Sequence, residues 1–185
     1  RLEQSNIVYP PYYTMPFHGY EKGNLDWLPA YENTAATLNI AAGYWPDANV
    51  EEAQNWMRFN STNKIKKYLE FYPYNEYDGL YNLCDNDPTH PVKILDIGCS
   101  VGISSEYLKE AFPKSHVTGL DLSPYFLSIA QHRNQLNSTY IEYVHANAED
   151  MPFKSSTYDL VTCNFLFHEV PYHATLCILL SLIHI

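Results

Sequence analysis

The fold of this chain is decided by one stretch, residues 92–102, which reads VKILDIGCSVG. Its first six residues, 92–97, are mostly apolar and predict a buried strand of a parallel sheet. Gly98 and Gly102 follow, and they allow the backbone to turn tightly and to approach a ligand closely. Residues 103–112 carry apolar side chains at helical spacing, so a helix begins with its free N–H groups facing the turn. Strand, glycine turn and helix together predict a nucleotide-binding element.

The spacing of the small residues separates two kinds of nucleotide-binding turn. The dinucleotide fingerprint G-x-G-x-x-G requires glycine at positions 98, 100 and 103, whereas this chain has Ser100 and Ile103. The other pattern is an acid two residues before G-x-G-x-G. It is met by Asp96, Gly98 and Gly102, and only Ser100 departs from it. The segment therefore resembles motif I of the class I S-adenosylmethionine-dependent methyltransferases.

Beyond residue 102 the chain continues to alternate between strand and helix patterns. Strands are predicted at residues 115–121, 140–146 and 159–167, and helices at residues 124–136 and 172–183. Ser123 and Pro124 mark the start of the first of these helices, as an N-cap followed by proline at the first helical position. The alternation predicts an α/β fold with a doubly wound parallel sheet and right-handed crossovers.

Residues 1–90 differ in composition from the rest of the chain. They hold all three tryptophans and 11 of the 17 tyrosines, with prolines throughout. We expect an N-terminal arm over residues 1–90, partly irregular, whose one helical stretch at residues 51–72 is broken near residues 60–63. The aromatic rings either pack this arm against the core, which we favour, or form a lid in which Tyr20, Trp27 or Tyr31 faces an acceptor. A turn-rich linker at residues 78–91 leads into a domain at residues 91–185.

The composition excludes several kinds of partner. The chain has 185 residues, with 21 Asp and Glu against 11 Lys and Arg, and a net charge of −10. It has no basic stripe to neutralise a phosphate backbone, so nucleic acid is not expected as a substrate. No apolar run is long enough to span a membrane, so a membrane is not expected as a partner. The four cysteines show neither paired nor metal-ligand spacing, which favours reduced, intracellular thiols.

Further segments extend the resemblance. Asp121 ends the second strand, where an acid can accept hydrogen bonds from ribose hydroxyls; the alternative is an acid that caps the next helix. Residues 147–153, NAEDMPF, resemble the family's segment after strand three, whose first residue bonds the adenine amino group. Asn147 stands there in place of the usual Asp, and its amide oxygen can still accept that bond. Residues 156–161 and 166–171 resemble the start and the end of the family's fourth strand.

Four segments in the family's order therefore cover residues 92–171. The resemblance implies a Rossmann-like sheet of seven strands in the order 3-2-1-4-5-7-6, of which this chain carries the first four. Three segments are similar to a subgroup of methyltransferases from photosynthetic organisms: DIGCSVG at 96–102, TGLDLSPYFL at 118–127, and PFHGY, GNL and a tryptophan within residues 16–27. This similarity leaves both cytoplasm and plastid open as the compartment.

The resemblance also implies the residues of the site. Those that would contact S-adenosylmethionine are Asp96, Gly98, Cys99, Ser100, Gly102, Asp121, Leu122, Asn147, Ala148, Glu149 and Asn164. In this arrangement Asp96 attracts the ammonium group of the cofactor. His168, at the end of strand four, is the candidate general base, with a packing role as the alternative. A metal is not expected, because His168 and His173 are five residues apart and Pro171 breaks the helix that a metalloprotease motif needs.

Together these features predict a methyltransferase that acts on a small-molecule acceptor by direct displacement; the alternative is a non-catalytic cofactor-binding fragment or pseudoenzyme. Residues 172–183 lack the charged outer face of the family's corresponding helix, and the sequence ends at Ile185, before a fifth strand. We therefore expect a C-terminally truncated domain that exposes the edge of its fourth strand, self-associates and is inactive alone. The acceptor and the oligomeric state are left open.

Overall fold

The structure is a computed structural model that describes residue 4, residues 6–71, residues 91–183 and residue 185. Its N-terminal part consists of a 3-10 turn at Pro11–Thr14, helix α1 at Trp27–Tyr44 and helix α2 at Val50–Phe71. Its second part alternates in the order β1 (Lys93–Ile97), α3 (Ile103–Ala111), β2 (His116–Asp121), α4 (Pro124–Asn137), β3 (Glu142–His145), β4 (Leu160–Cys163) and α5 (Tyr172–Leu182). The linker predicted at residues 78–91 lies outside the described residues, apart from residue 91.

The four strands form one parallel sheet in the order β3-β2-β1-β4, which confirms the predicted doubly wound α/β fold. In the middle of β1, Leu95 is paired with Thr118 of β2 and with Val161 of β4. Because the strands are parallel, the loops that follow them meet at one edge of the sheet. The strand order reverses beside β1, and in open α/β sheets a ligand crevice forms outside the strand ends at such a point.

Apolar side chains cover both faces of the sheet. On one face, Ile94 and Val117 pack with Leu108 of α3 and Leu127 of α4, and all four are buried. The cluster on the other face comprises Leu95, Ile97, Leu120, Ala146 and Met151. Burial of each large aliphatic side chain contributes about 1.5–3 kcal/mol, so β1 is the best anchored strand. Within the described parts of the chain, no helix combines the length and the apolar character needed to cross a bilayer.

The expectation of a single helical stretch within residues 1–90 is wrong, because α1 is a second helix there. The side chain of Asp26 caps it by accepting a 2.7 Å hydrogen bond from the N–H of Trp27. Pro29 lies in the first turn, where a missing N–H leaves no helical bond unmade. Ala30 is 1% exposed and packs against Val101 and Phe126 of the sheet domain. The start of α1 thus packs on the core of the sheet domain.

The predicted break of α2 near residues 60–63 is also wrong, since the helix is continuous over Val50–Phe71. Thr62 lies inside that stretch and is 5% exposed. Its hydroxyl donates to the backbone carbonyls of Arg58 and Phe59, at 3.3 Å and 3.2 Å. A buried threonine that bonds to the preceding turn is satisfied within the helix, so a polar run does not have to end it.

β4 is shorter than the predicted strand at residues 159–167, because it ends at Cys163. Phe165 has a φ of 61°, a left-handed conformation that interrupts extended backbone. Asn164, Phe165 and His168 consequently lie on a loop at the edge of the sheet where the other strands also end. The side chains of this loop are directed by the turn rather than by strand alternation.

Candidate functional site

A cavity of about 560 Å³ lies at the edge where the parallel strands end, a volume typical of small-ligand pockets. The loops after the four strands line it on one side, and the N-terminal segment with α1 and α2 lines it on the other. Nine of the predicted site residues line this cavity, namely Gly98, Cys99, Ser100, Asp121, Leu122, Asn147, Ala148, Asn164 and His168. Three others, Asp96, Gly102 and Glu149, are not among the lining residues.

The glycine turn after β1 uses left-handed backbone at Gly98, Ser100 and Gly102, with φ values of 68°, 52° and 85°. A Cβ on Gly102 would collide with the hydroxyl of Tyr143, so packing below the turn by itself requires glycine at this position. The N–H groups of Gly98 and Cys99 donate to the carbonyl of Leu120, which fastens the turn to β2. The turn is therefore held rigidly at the cavity wall.

Ser100 occupies the position where the family pattern has its middle glycine. Its left-handed φ costs a non-glycine residue about 1–2 kcal/mol. Its backbone N–H donates to Asp121 at 2.8 Å. Its hydroxyl oxygen is buried at the cavity wall and has no hydrogen-bond partner among the described residues. An unsatisfied hydroxyl at this place is available to a polar group of a ligand.

Asp121 lies at the C-terminal end of β2 and is 8% exposed. One carboxylate oxygen accepts from the N–H of Ser100 and the other from the N–H of Ser123, both at 2.8 Å. Burial raises the pKa of this carboxyl group to about 6, against the opposing effect of these hydrogen bonds. The predicted helix cap is Ser123, whose hydroxyl accepts from Phe126 at 3.3 Å. Asp121 retains carboxylate lone pairs on a cavity wall, which suits the predicted contact with hydroxyl donors.

Asp96 is fully buried in β1 and accepts three hydrogen bonds from hydroxyl groups. The hydroxyls of Ser104 and Ser105 on α3 donate at 2.6 Å and 2.7 Å, and Thr162 on β4 donates at 3.0 Å. Burial raises the pKa of Asp96, while these hydroxyls and Arg58 act in the opposite direction. The expected direct contact of Asp96 with a cofactor ammonium does not fit this position, since protein hydroxyls already surround the carboxylate. It joins β1, β4 and α3 instead.

The segment after β3 is only partly directed at the cavity. Asn147 and Ala148 line it, whereas the carboxylate of Glu149 accepts a 2.7 Å hydrogen bond from the hydroxyl of Tyr12. The amide oxygen of Asn147 accepts from the N–H of Glu149 at 2.9 Å. The prediction that Glu149 contacts the cofactor therefore does not fit its position: its side chain joins the N-terminal segment to the sheet domain. Asn147 keeps one acceptor lone pair and its NH₂ group.

Arg58 on α2 is a cavity residue that the sequence analysis missed. It is 7% exposed, and its Nε has no hydrogen-bond partner among the described residues. Its guanidinium carbon lies 5.7 Å from the centre of the Phe165 ring. Burial lowers the pKa of Arg58, opposed by the charge of nearby Asp96. A buried cation with an unpaired N–H at a cavity wall is suited to an anionic group of a ligand.

One sequence signal points to Arg58, although only weakly. The buried face of α2 carries polar residues at helical spacing, Gln54, Arg58 and Thr62, each at most 7% exposed. A helix that turns such residues inward faces a polar site rather than an apolar core. The spacing is visible in the sequence, but which face of α2 is buried is not.

The loop after β4 and the N-terminal segment form the outer part of the cavity. Glu169 receives a 3.2 Å hydrogen bond from the side chain of Asn24, and its other oxygen lies 3.6 Å from His18 and 3.8 Å from His168. Tyr20 also lines the cavity. Trp27 and Tyr31 do not line it. They stack on each other at 5.8 Å instead, and both are largely exposed.

Comparisons with known proteins concern mainly the sheet domain. A family profile described as a methyltransferase domain matches residues 94–181. The ubiquinone/menaquinone biosynthesis C-methyltransferase of Bartonella tribocorum is 36% identical over 83 residues, which cover 43% of this chain and 32% of that protein. The demethylmenaquinone methyltransferase of Oceanobacillus iheyensis is 39% identical over 83 residues, which cover 44% of this chain and 35% of that protein. The match thus spans about a third of the length of these curated relatives.

A solved structure extends the similarity in fold. Magnesium protoporphyrin IX methyltransferase from Synechocystis PCC 6803 with bound S-adenosylmethionine superposes on 86% of this chain and 70% of that chain, with a TM-score of 0.53. The sequence identity is 17%, so the similarity is one of fold. A superposition of this extent reaches beyond the sheet domain into the N-terminal region.

Proposed function

Because this chain belongs to the class I S-adenosylmethionine-dependent methyltransferases, we propose that it transfers the methyl group of this cofactor to a small-molecule acceptor. The observation that carries the proposal is the cavity at the strand ends, which brings together Ser100, Asp121 and Asn147 from three separate loops. The relatives reported above are named for methylation in the biosynthesis of ubiquinone and menaquinone, which supports a small organic acceptor.

The groups at the cavity wall fit the chemical parts of the cofactor. The Asp121 carboxylate can accept hydrogen bonds from the vicinal ribose hydroxyls, and its two bonds to backbone N–H groups hold it in place. The Asn147 side chain can bond to the adenine ring edge beside Leu122 and Ala148. The unpaired Nε of Arg58 can pair with the amino-acid carboxylate. We propose that these residues bind the cofactor, with Gly98, Cys99 and Asn164 forming the remaining wall.

The chemistry demands little of the protein beyond positioning. S-adenosylmethionine supplies a methyl group bonded to a positively charged sulfur: the lone pair of the acceptor forms the new bond to the methyl carbon, and the sulfur keeps the electrons of the broken C–S bond in a neutral thioether. The chain's residues hold the cofactor and an acceptor in line and keep water out. Where the acceptor must lose a proton, we propose that His168, on the outer wall of the cavity, accepts it as general base.

Binding and transfer are measured separately to test the proposal. Calorimetry with S-adenosylhomocysteine should show one site per chain, and methyl-labelled S-adenosylmethionine should label a small molecule of a cell extract. His168→Ala should lower turnover while cofactor affinity is unchanged, and His132→Ala, at an exposed position of α4, should change neither. Binding without transfer to any acceptor would favour the non-catalytic alternative. Absence of binding would refute the proposal.

A further inference from the structure

The outer wall of the cavity brings together three side chains that ligate metals. His18 lies in the N-terminal segment before α1, and His168 and Glu169 follow β4. One ligand atom of each lies within 4.8 Å of the others. The side chains of His18 and His168 are 52% and 51% exposed, and that of Glu169 is 29% exposed, so all three are accessible from the cavity mouth. We propose that these residues bind one divalent cation of the Zn²⁺ type.

The distances within the cluster support coordination. Nε2 of His18 and Nε2 of His168 lie 3.6 Å and 3.8 Å from the same oxygen of Glu169, Oε1. Both separations exceed the usual hydrogen-bond range. With metal bonds of about 2.0–2.1 Å, two ligand atoms of a tetrahedral site are about 3.3 Å apart. The two histidine–Glu169 distances would therefore shorten by a few tenths of an ångström, and the two histidine nitrogens, which lie within 4.8 Å of each other, by at most about 1.5 Å.

The surroundings of Glu169 orient the carboxylate for this role. Its second oxygen, Oε2, accepts a 3.2 Å hydrogen bond from the side-chain NH₂ of Asn24. Such a bond to the non-ligating oxygen is the usual support of a metal-binding carboxylate. The backbone N–H of Glu169 donates to the carbonyl of Leu166 at 2.9 Å, which fixes the turn that carries it. Asn24 thereby joins the N-terminal segment to the same cluster.

The set of ligands indicates the kind of cation and its access. Two imidazoles and one carboxylate suit Zn²⁺ and similar first-row cations better than Mg²⁺ or Ca²⁺, which prefer oxygen. Three protein ligands leave at least one position open, and the cluster lines the cavity. An oxygen of an acceptor that enters the cavity could occupy that position. Coordination would lower the pKa of such an acceptor hydroxyl, and His168 would then act as a metal ligand and not as the base while the cation is bound.

From the sequence no metal is expected, because there the histidine that follows His168 and Glu169 is His173, at a spacing that does not suit a metal motif. In the structure His173 faces the ring of Tyr12 instead, with ring centres 6.1 Å apart. The third ligand is His18, which lies 150 residues away along the chain. Cation binding can be measured without cofactor or acceptor, so this inference does not rest on the proposed function.

The test is a titration of the whole chain with Zn²⁺ by calorimetry and with Co²⁺ by visible absorption. We expect one cation per chain, and at least a tenfold loss of affinity in His18→Ala and in Glu169→Gln. His132→Ala, a change of an exposed histidine on α4, should bind as the unchanged chain does. Equal affinity in all four proteins, or no binding by the unchanged chain, would overturn the proposal.

A second variant at position 18 keeps the proposal testable if His18→Ala does not fold. His18→Cys replaces one ligand by another, so it should retain Co²⁺ and add the charge-transfer absorption of a cobalt–thiolate bond. Circular dichroism checks that each variant is folded. A folded His18→Cys protein that binds Co²⁺ without the additional absorption would place the cation elsewhere and would also overturn the proposal.

Discussion

The backbone N–H of Ser100 donates a 2.8 Å hydrogen bond to the carboxylate of Asp121. The second carboxylate oxygen accepts from the N–H of Ser123 at the same distance. The first bond reaches the glycine turn after β1, and the second reaches the residue that caps α4. Asp121 therefore joins two loops of the cavity wall, and the end of β2 sets how far apart they lie.

Replacement of Asp121 tests its place in the site. In Asp121→Asn the amide offers one oxygen and one NH₂ group, so it can accept from Ser100 or from Ser123 but not from both. The charged acceptor for ribose hydroxyls is lost as well. Since a hydrogen bond to a charged group contributes about 1.5–3 kcal/mol, we expect affinity for S-adenosylhomocysteine to fall at least about tenfold. Calorimetry measures the affinity.

The control for this replacement is Asp150→Asn, which removes the same charge at an exposed position. It should leave the affinity for S-adenosylhomocysteine unchanged. If Asp121→Asn also binds as the unchanged protein does, Asp121 does not contact the cofactor.

The pH dependence of cofactor binding follows from the raised pKa of Asp121, about 6 in the folded chain. The ordinary pKa of an aspartate is lower, about 3.9, so burial stabilises the protonated form. The contribution of this group to folding stability is therefore greatest below about pH 4 and is lost as pH rises through about 6. Cofactor binding has the opposite dependence, because only the ionised form accepts two hydroxyl hydrogen bonds.

Affinity measured between about pH 5 and about pH 8 should therefore rise with pH around the pKa of Asp121. Asp121→Asn does not titrate at this position, so its affinity should be lower and should vary less with pH. A pH dependence that is the same in both proteins would show that another group causes it.

Arg58 is expected to recognise the carboxylate of the cofactor. Its guanidinium is buried at the cavity wall with an unpaired Nε, so Arg58→Gln should weaken S-adenosylmethionine binding at least about tenfold. Decarboxylated S-adenosylmethionine lacks the group that Arg58 would bind. It should bind the unchanged protein weakly and should be almost unaffected by the replacement. Lys64→Gln, on the exposed side of the same helix, is the control. An equal loss for both ligands would indicate a packing role.

Asp96 is expected to act on stability. In Asp96→Ala, the hydroxyls of Ser104, Ser105 and Thr162 lose their common acceptor in the core. A buried polar group without a partner costs about 1–3 kcal/mol, so the free energy of unfolding should fall by at least about 2 kcal/mol. Urea unfolding measures this change, with the exposed Asp150→Ala as control.

Ser105→Ala separates this role from direct contact with the cofactor. It removes one hydrogen bond to Asp96 and should lower the free energy of unfolding by about 1 kcal/mol. Cofactor affinity should not change, because Ser105 is fully buried and is not among the cavity-lining residues. A loss of cofactor affinity without a loss of stability would indicate that Asp96 contacts the cofactor.

The sheet domain could be predicted in detail because its signals are local. An apolar run followed by Gly98 predicts the end of β1, and Ser123 with Pro124 predicts the start of α4. The strand order is confirmed because parallel strands joined by helices allow few arrangements. The N-terminal helices α1 and α2 are less visible in the sequence than the elements of the sheet domain. α1 shows little apolar periodicity and has a proline in its first turn, and the polar run in α2 is satisfied by bonds that the sequence does not display.

Local sequence was sufficient to predict which residues lie at the ends of β1, β2 and β3, because strand ends and glycine turns depend on neighbouring residues. Gly98, Asp121 and Asn147 thus reach one cavity as predicted. The tertiary structure alone decided where the side chains point. Packing turns Asp96 into the core, Glu149 toward Tyr12, and Arg58 and His18 toward the cavity. These orientations depend on contacts between residues far apart in the chain, and no local pattern records them.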